Sequence, residues 1–194
     1  PYTAAGASVN QVIPIWMQAG DIDDYMARLA DPNTRGKARD EMNAGPNGGI
    51  PPSWDSWILA GADNEPNKSV IGKSLEEIGD IWRTEPAEAA LAIVENERAY
   101  SPTIVHNRVE TDIRFFLCQQ AGMIGSDGRA IAPDGPYADL LPHPRYYGTY
   151  PRILGRYVRE QPPVLSLESA INKMTGFPSE RLRMKERGLI KENY

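Results

Sequence analysis

The chain has 194 residues, a formal net charge of −5 and 41% hydrophobic residues, a globular composition long enough for one sizeable core or two small ones. Lysine and arginine are spread along it, so no basic stripe suggests nucleic acid and no charge block suggests a membrane surface. No apolar run approaches the about 18–20 residues that span a bilayer, and a lone cysteine, Cys118, excludes an internal disulfide.

Residues 1–13 read as the end of a strand and a loop. Asp21 is the predicted N-cap of a helix in which Tyr25, Met26 and Leu29 recur at helical spacing. Asp31-Pro32 starts a second helix, with the acid as cap and proline in the first turn, running to about Met42. Residues 43–53 are a loop dense in Gly and Pro, and Trp57-Ile58-Leu59-Ala60 is a short predicted strand. Ser74 and Glu77 form a capping box ahead of a helix face of Leu75, Ile78 and Trp82. Pro86 opens a helix with Ala90, Leu91, Ile93 and Val94 on its apolar side, ending near Glu97. The four tryptophans, Trp16, Trp54, Trp57 and Trp82, all fall in this first half and are expected to pack it.

Thr103-Ile104-Val105-His106 reads as a strand, Glu110 to Gln120 as a helix carrying Ile113, Phe116 and Leu117, and Met123-Ile124-Gly125 as a further strand. This alternation predicts part of a parallel α/β sheet or barrel. Residues 129–152 form a long Gly/Pro/Tyr loop, of a length that marks function or disorder, and its aromatics and arginines argue for function. Ile153 to Glu160 is predicted helical. Ser166 caps a helix with Leu167, Ala170, Ile171 and Met174 on one face. Pro178 to Leu182 is a short last helix, and Gly188-Leu189-Ile190 begins a strand.

Two constellations carry chemistry. Gly125-Ser126-Asp127-Gly128 follows the apolar Met123-Ile124, as a strand does when it delivers a carboxylate to a site. There Asp127 can bind a divalent metal and exchange a proton with a metal-bound water. A structural turn aspartate fits the same four residues. His143-Pro144-Arg145 lies in the rigid aromatic loop, where the Arg145 guanidinium suits a substrate carboxylate. An arginine packed on tyrosine rings fits equally. Arg152 reads as structural, His106 and His143 as loop or capping histidines, and Cys118 as a buried inert thiol. No Walker loop, dinucleotide fingerprint or nucleophile elbow is present in the sequence.

Taken together, Gly125-Ser126-Asp127-Gly128, His143-Pro144-Arg145, Tyr147-Gly148-Thr149, Pro151-Arg152 and Leu154-Gly155-Arg156-Tyr157-Val158-Arg159-Glu160 resemble the D-aminoacylase family, the N-acyl-D-amino-acid deacylases of the amidohydrolase superfamily. Ser166-Leu167-Glu168 with Ala170-Ile171 and Lys173-Met174-Thr175 resembles that family's closing barrel helix. Arg187-Gly188-Leu189-Ile190 resembles the entry to its small β-sandwich domain. Pro1-Tyr2-Thr3-Ala4 resembles the end of its seventh barrel strand, and Gly72-Lys73-Ser74-Leu75 its insertion after that strand. The resemblance implies the C-terminal part of a (β/α)8 TIM-type barrel, with zinc at the mouth. Asp127 matches the metal-associated general acid/base, Arg145 the arginine that holds the substrate α-carboxylate, and Tyr2 and Ser8 positions near that carboxylate.

It also implies an organisation: the end of strand seven and a loop over 1–13, a mostly helical insertion over 14–100, the last helix-strand-helix units with the active-site loop over 101–182, and the start of the small domain over 183–194. The family's His-x-His pair, metal-binding Cys and two later histidines have no counterparts here, and a full barrel needs about 250 residues. The expectation is therefore a fragment truncated at both ends, with the other zinc ligands upstream of Pro1. The implied substrate is a small N-acyl-D-amino acid, hydrolysed at a linear amide to a D-amino acid and a carboxylate. The implied partner is the remainder of the same chain, without which it is expected to be inactive. No nucleic acid or membrane partner is expected, and a cytoplasmic location is, although the N-terminus does not test for a signal peptide. Two other readings stand beside this one: an amidohydrolase of cyclic amides on the same scaffold, hydantoinase- or dihydroorotase-like, and a non-catalytic module that needs a partner chain.

Overall fold

Short polar side chains set the helix starts of the first half. The computed structural model describes residues 2–98, 100–129, 131–132, 134–136 and 142–192. Strand β1 (Ala5–Ser8) leads into two 3-10 turns, Val9–Val12 and Ile15–Gln18. Helix α1 (Ile22–Ala30) is opened by a reciprocal box. The Asp21 carboxylate accepts from Asp24 N at 2.9 Å, and the Asp24 carboxylate accepts from Asp21 N at 3.3 Å. Asp31 caps α2 (Pro32–Ala44) through Thr34 N at 3.0 Å, and Pro32 supplies a first-turn residue with no N–H to leave unbonded. After β2 (Trp57–Leu59), the Ser74–Glu77 box opens α3 (Leu75–Trp82), and hydrogen bonding from Ser74 N holds the Glu77 carboxyl below its ordinary range. Helix α4 (Pro86–Glu97) and strand β3 (Pro102–Val105) follow.

The three strands form one sheet in the order β1-β3-β2, and both pairings are antiparallel. Ala5 faces Val105 and Ser8 faces Pro102 on one side of β3, while Trp57 faces Val105 and Leu59 faces Thr103 on the other. The parallel pairing expected from helix–strand alternation is thus absent among the described residues. The reason is topological. The helical stretch leaves from β1 and returns through β3 beside it, so the chain needs no crossover to a parallel neighbour. Residues 4–107 form one compact unit around this sheet. Its core holds Ile13, Met17, Leu29, Met42, Leu59, Leu75, Ile78, Leu91 and Ile93, all fully buried, with the four tryptophans packed against it as expected. Two of the polar groups at its edge are multiply paired. The Arg35 guanidinium meets Glu88 at 2.7 Å and Glu95 at 2.6 Å. The Asn67 amide donates to Ile93 O at 3.0 Å and Glu97 at 2.7 Å.

The second unit holds residues 2–3, the described residues of 108–138, and 142–192. Its helices are α5 (Glu110–Cys118), α6 (Arg145–Arg152), α7 (Leu167–Met174) and α8 (Gly176–Arg181). A π-helical turn, Ile153–Tyr157, continues α6 directly. Pro151 lies inside α6 and has no N–H to give the preceding turn, and the wide turn follows it at once. The small core comprises Leu117, Ile124, Ile153, Tyr157, Leu165 and Ala170.

Neither later strand predicted from sequence is present: Met123-Ile124-Gly125 is irregular and Gly188-Leu189-Ile190 is a bend. The chain here is tied to a helix instead of a sheet, through the side chain and the carbonyl of one lysine. Lys173 of α7 is 6% exposed, and its ammonium donates to Gly122 O at 2.9 Å and to Gln119 O. Ile124 N in turn donates to Lys173 O at 3.0 Å. One buried lysine therefore ties the end of α5, residues 122–124 and α7 together. Lys173→Met keeps the stem but takes the ammonium donor from Gly122 O and one of two donors from Gln119 O. It should cost about 2 kcal/mol in urea unfolding, and an unchanged unfolding midpoint would count against this role.

Candidate active site

The run after Ile124 turns on the aspartate and not on its glycines. Asp127 has φ of 48°, in the left-handed region that aspartate tolerates better than most residues. Gly128 N donates to Ser126 Oγ at 3.2 Å, closing the turn locally. A Cβ at Gly128 would lie 3.1 Å from Tyr146 Cα, so this glycine permits a close backbone approach, whereas Gly125 meets nothing within 4 Å. The turn leaves the Asp127 side chain 85% exposed.

Arg145, the first residue of α6, reaches this turn. Its Nη2 lies 2.8 Å from Asp127 Oδ2, and its Nε donates to Asp127 O at 3.2 Å. The two residues singled out for chemistry are thus in direct contact, the guanidinium gripping both the carboxylate and the carbonyl of residue 127. The reading of Arg145 as an arginine packed on a tyrosine ring is met, because its guanidinium sits 5.6 Å from the Tyr146 ring centroid. His143, which is buried, accepts from Arg145 N through Nδ1 at 3.0 Å and sets the start of α6.

Tyr2 belongs to the same unit. Its ring meets His143 edge-on at 5.7 Å, and the Arg152 guanidinium lies 4.9 Å from its centroid. A side chain at Gly148 would overlap the Tyr2 hydroxyl, so the glycine is required there. Ser8 belongs to the other unit. It is buried, and its Oγ accepts from Asn10 N at 3.3 Å as the cap of the first 3-10 turn.

A charged cluster that sequence reasoning did not find lies in the same unit as Arg145. Glu110, the first residue of α5, is 3.4 Å from Arg114, 3.4 Å from Arg156 and 4.0 Å from Arg152. Glu160 pairs with Arg114 at 2.7 Å and Arg156 at 3.3 Å. Tyr157 is buried among them, and burial pushes its hydroxyl above the ordinary range, which keeps it protonated. The only signal in the sequence was the recurrence of arginine at positions 152 and 156, four apart.

Cys118 is exposed, contrary to the expected buried thiol. Leu117 takes the inward position on α5, and the next residue is turned about 100° away by the helical repeat. Among the described residues no group of three or more His, Cys, Asp or Glu side chains could hold a metal ion. Asp127 alone, facing an arginine, does not make a zinc site. Pro1, Ala99, Ala130, Pro133, residues 137–141, Asn193 and Tyr194 lie outside the described residues, including part of the predicted 129–152 loop, whose last eight residues form helix α6 instead.

No family model matches the chain. An N-acyl-D-glutamate deacylase of Alcaligenes xylosoxydans xylosoxydans is 34% identical over 125 residues, covering 64% of this chain and 23% of the relative. A D-aminoacylase of the same organism is 40% identical over 85 residues, 44% of this chain and 16% of that one. Among solved structures, an N-acyl-D-glutamate deacylase from Bordetella bronchiseptica, in complex with zinc and a phosphonate inhibitor, superposes with a TM-score of 0.64 at 22% identity. A D-aminoacylase described with a binuclear metal centre gives 0.61 at 24%. Each superposition covers all of this chain and 30% of the neighbour, and at such identity it shows the fold alone. The chain thus spans less than a third of the length of the proteins it matches. In sequence the chain is similar to one segment of curated N-acyl-D-amino-acid deacylases and a D-aminoacylase, and in fold to one segment of the solved N-acyl-D-glutamate deacylase and D-aminoacylase.

Proposed function

We propose that this segment supplies the acid/base and the carboxylate anchor of a metal-dependent deacylase that hydrolyses N-acyl-D-amino acids to a D-amino acid and a carboxylate. The observation that carries the reading is the Asp127–Arg145 contact at 2.8 Å, which joins a proton-transfer group to a carboxylate-binding group. The names of the sequence relatives, all deacylases of N-acylated D-amino acids or D-aminoacylases, support the substrate class. Zinc accompanies a neighbouring structure. In this reading Asp127 is the acid of the segment that borders the metal, and the residues described here do not by themselves compose its site.

The chemistry assigned to these side chains is bounded by what they are. Arg145 stays charged at any working pH and presents a planar fork that matches a carboxylate. In the resting chain that fork holds Asp127. A substrate α-carboxylate takes the place of the Asp127 carboxylate on Arg145, and the exposed Asp127 is released to the scissile amide. There it accepts a proton from the attacking water and returns it to the departing amine. Tyr2 lies on the anchor side of this arrangement.

Two variants of the complete deacylase chain test the reading. Asp127→Asn cannot take up the proton and should lower kcat by about 100-fold or more. Near-normal turnover with the metal still bound would remove Asp127 from the proton path. Arg145→Lys keeps the charge and loses the fork. It should raise KM for N-acyl-D-amino acids roughly 10- to 100-fold and spare N-acylamines that lack the carboxylate. An equal loss on both substrate types would exclude the anchor role, and turnover of hydantoins in place of N-acyl-D-amino acids would move the reading to cyclic amides.

A further inference from the structure

We infer that Arg152 is a positioning residue for the carboxylate-binding face, acting through Tyr2. The inference rests on the reading of Arg145 given above. Arg145 and Arg152 are the first and last residues of α6, seven apart, so two helical turns bring them to one face. Tyr2 runs along this helix and touches it at three heights. Its ring edge meets His143 just before the helix, its hydroxyl fills the space above Gly148, and its face lies under the Arg152 guanidinium at 4.9 Å. His143 accepts from Arg145 N, which completes a chain of contacts from Arg152 to the anchor.

The surroundings of Arg152 show what it is held for. Glu110 is shared among three arginines, and Arg152 has the longest of the three contacts, 4.0 Å against 3.4 Å for Arg114 and Arg156. Its Nε is buried without a hydrogen-bond acceptor. A guanidinium so placed is poorly used as an ion-pair partner and well used as a flat cation between two rings, Tyr2 and Tyr157, at 4.9 Å and 5.9 Å from their centroids. A partly desolvated cation over an aromatic face is attractive and directional. It fixes the tilt of Tyr2, and Tyr2 fixes the wall against which a carboxylate on Arg145 is oriented.

The test uses the complete deacylase chain with bound metal, comparing Arg152→Met, Arg152→Lys, Tyr2→Leu and the Arg152→Met/Tyr2→Leu double variant. Arg152→Met should raise KM for N-acyl-D-amino acids about 10-fold, with kcat within twofold and N-acylamine hydrolysis unchanged. Arg152→Lys should recover most of that loss. The double variant should be no worse than Tyr2→Leu, because both changes act through one ring. With fluorotyrosine at position 2, the fluorine resonance should move in Arg152→Met and return towards its original position in Arg152→Lys. A purely structural role would lower kcat and metal content equally for both substrates, with additive losses, and that result or an unmoved resonance would overturn the inference. A moved resonance in a chain that hydrolyses no N-acyl-D-amino acid would leave the packing intact and overturn the functional reading instead.

Discussion

The backbone around Gly122 has no sheet to satisfy it, and a charged side chain does the work that strand pairing would have done. Lys173 gives its ammonium to the carbonyls of Gln119 and Gly122, while its own carbonyl accepts from Ile124 N. Burying an ammonium is costly unless its protons are used, and here two backbone acceptors at the end of α5 use them. A lysine is suited to the end of a helix, where carbonyls are left without intrahelical donors. Because the donor sits on α7, the Asp127 turn is referenced to a rigid element and not to a neighbouring strand. The aspartate can then be exposed and still be placed reproducibly.

The second constraint is electrostatic and serves the other end of the site. Glu110 at the start of α5 and Glu160 after the π-helical turn bracket Arg114, Arg152 and Arg156. Three cations against two acids leave the cluster with a positive excess. Acidic residues in the first turn of α5 also favour that helix end. The excess charge lies over the faces of Tyr157 and Tyr2. The wide turn at Ile153–Tyr157 is what brings Arg156 and Tyr157 back over the start of α5, and the proline inside α6 accounts for why the helix loosens there.

What the sequence made legible was the chemistry that acts within a few residues. The caps Asp21, Asp31, Ser74 and Ser166 each accept from a backbone N–H three positions on, and all four helix starts were readable from those residues. Strand direction was not, because β1 and β3 are distant in the chain and local patterning is the same for either direction. The apolar Met123-Ile124 looked like a strand for a related reason: a two-residue run cannot reveal that Ile124 bonds the carbonyl of Lys173 on a helix much further along the chain. The Asp127–Arg145 pair came from motif content and is in contact in the fold. Arg152 was readable as structural, but Glu110 could not be found, since its role arises only when α5 and the end of α6 pack together. Cys118 shows the limit of neighbourhood reasoning, for it is flanked by Phe115, Phe116 and Leu117, of which only Leu117 is buried.

Helix α6 carries two arginines whose surroundings assign them opposite tasks. The Asp127 carboxylate that meets Arg145 is open to water, and an ion pair of that kind is held weakly because solvent competes for both partners. In the proposed reaction this is what lets another carboxylate replace it. Arg152 faces no exchangeable anion: rings lie against it, its Nε is buried, and its nearest carboxylate is shared with Arg114 and Arg156. Replacing one ligand by another at Arg152 would mean taking apart a packed cluster. A single helix thus carries an ion pair with an exposed carboxylate at one end and a ring-packed guanidinium at the other. Exchange and rigidity are compatible here because different residues, two turns apart, carry them.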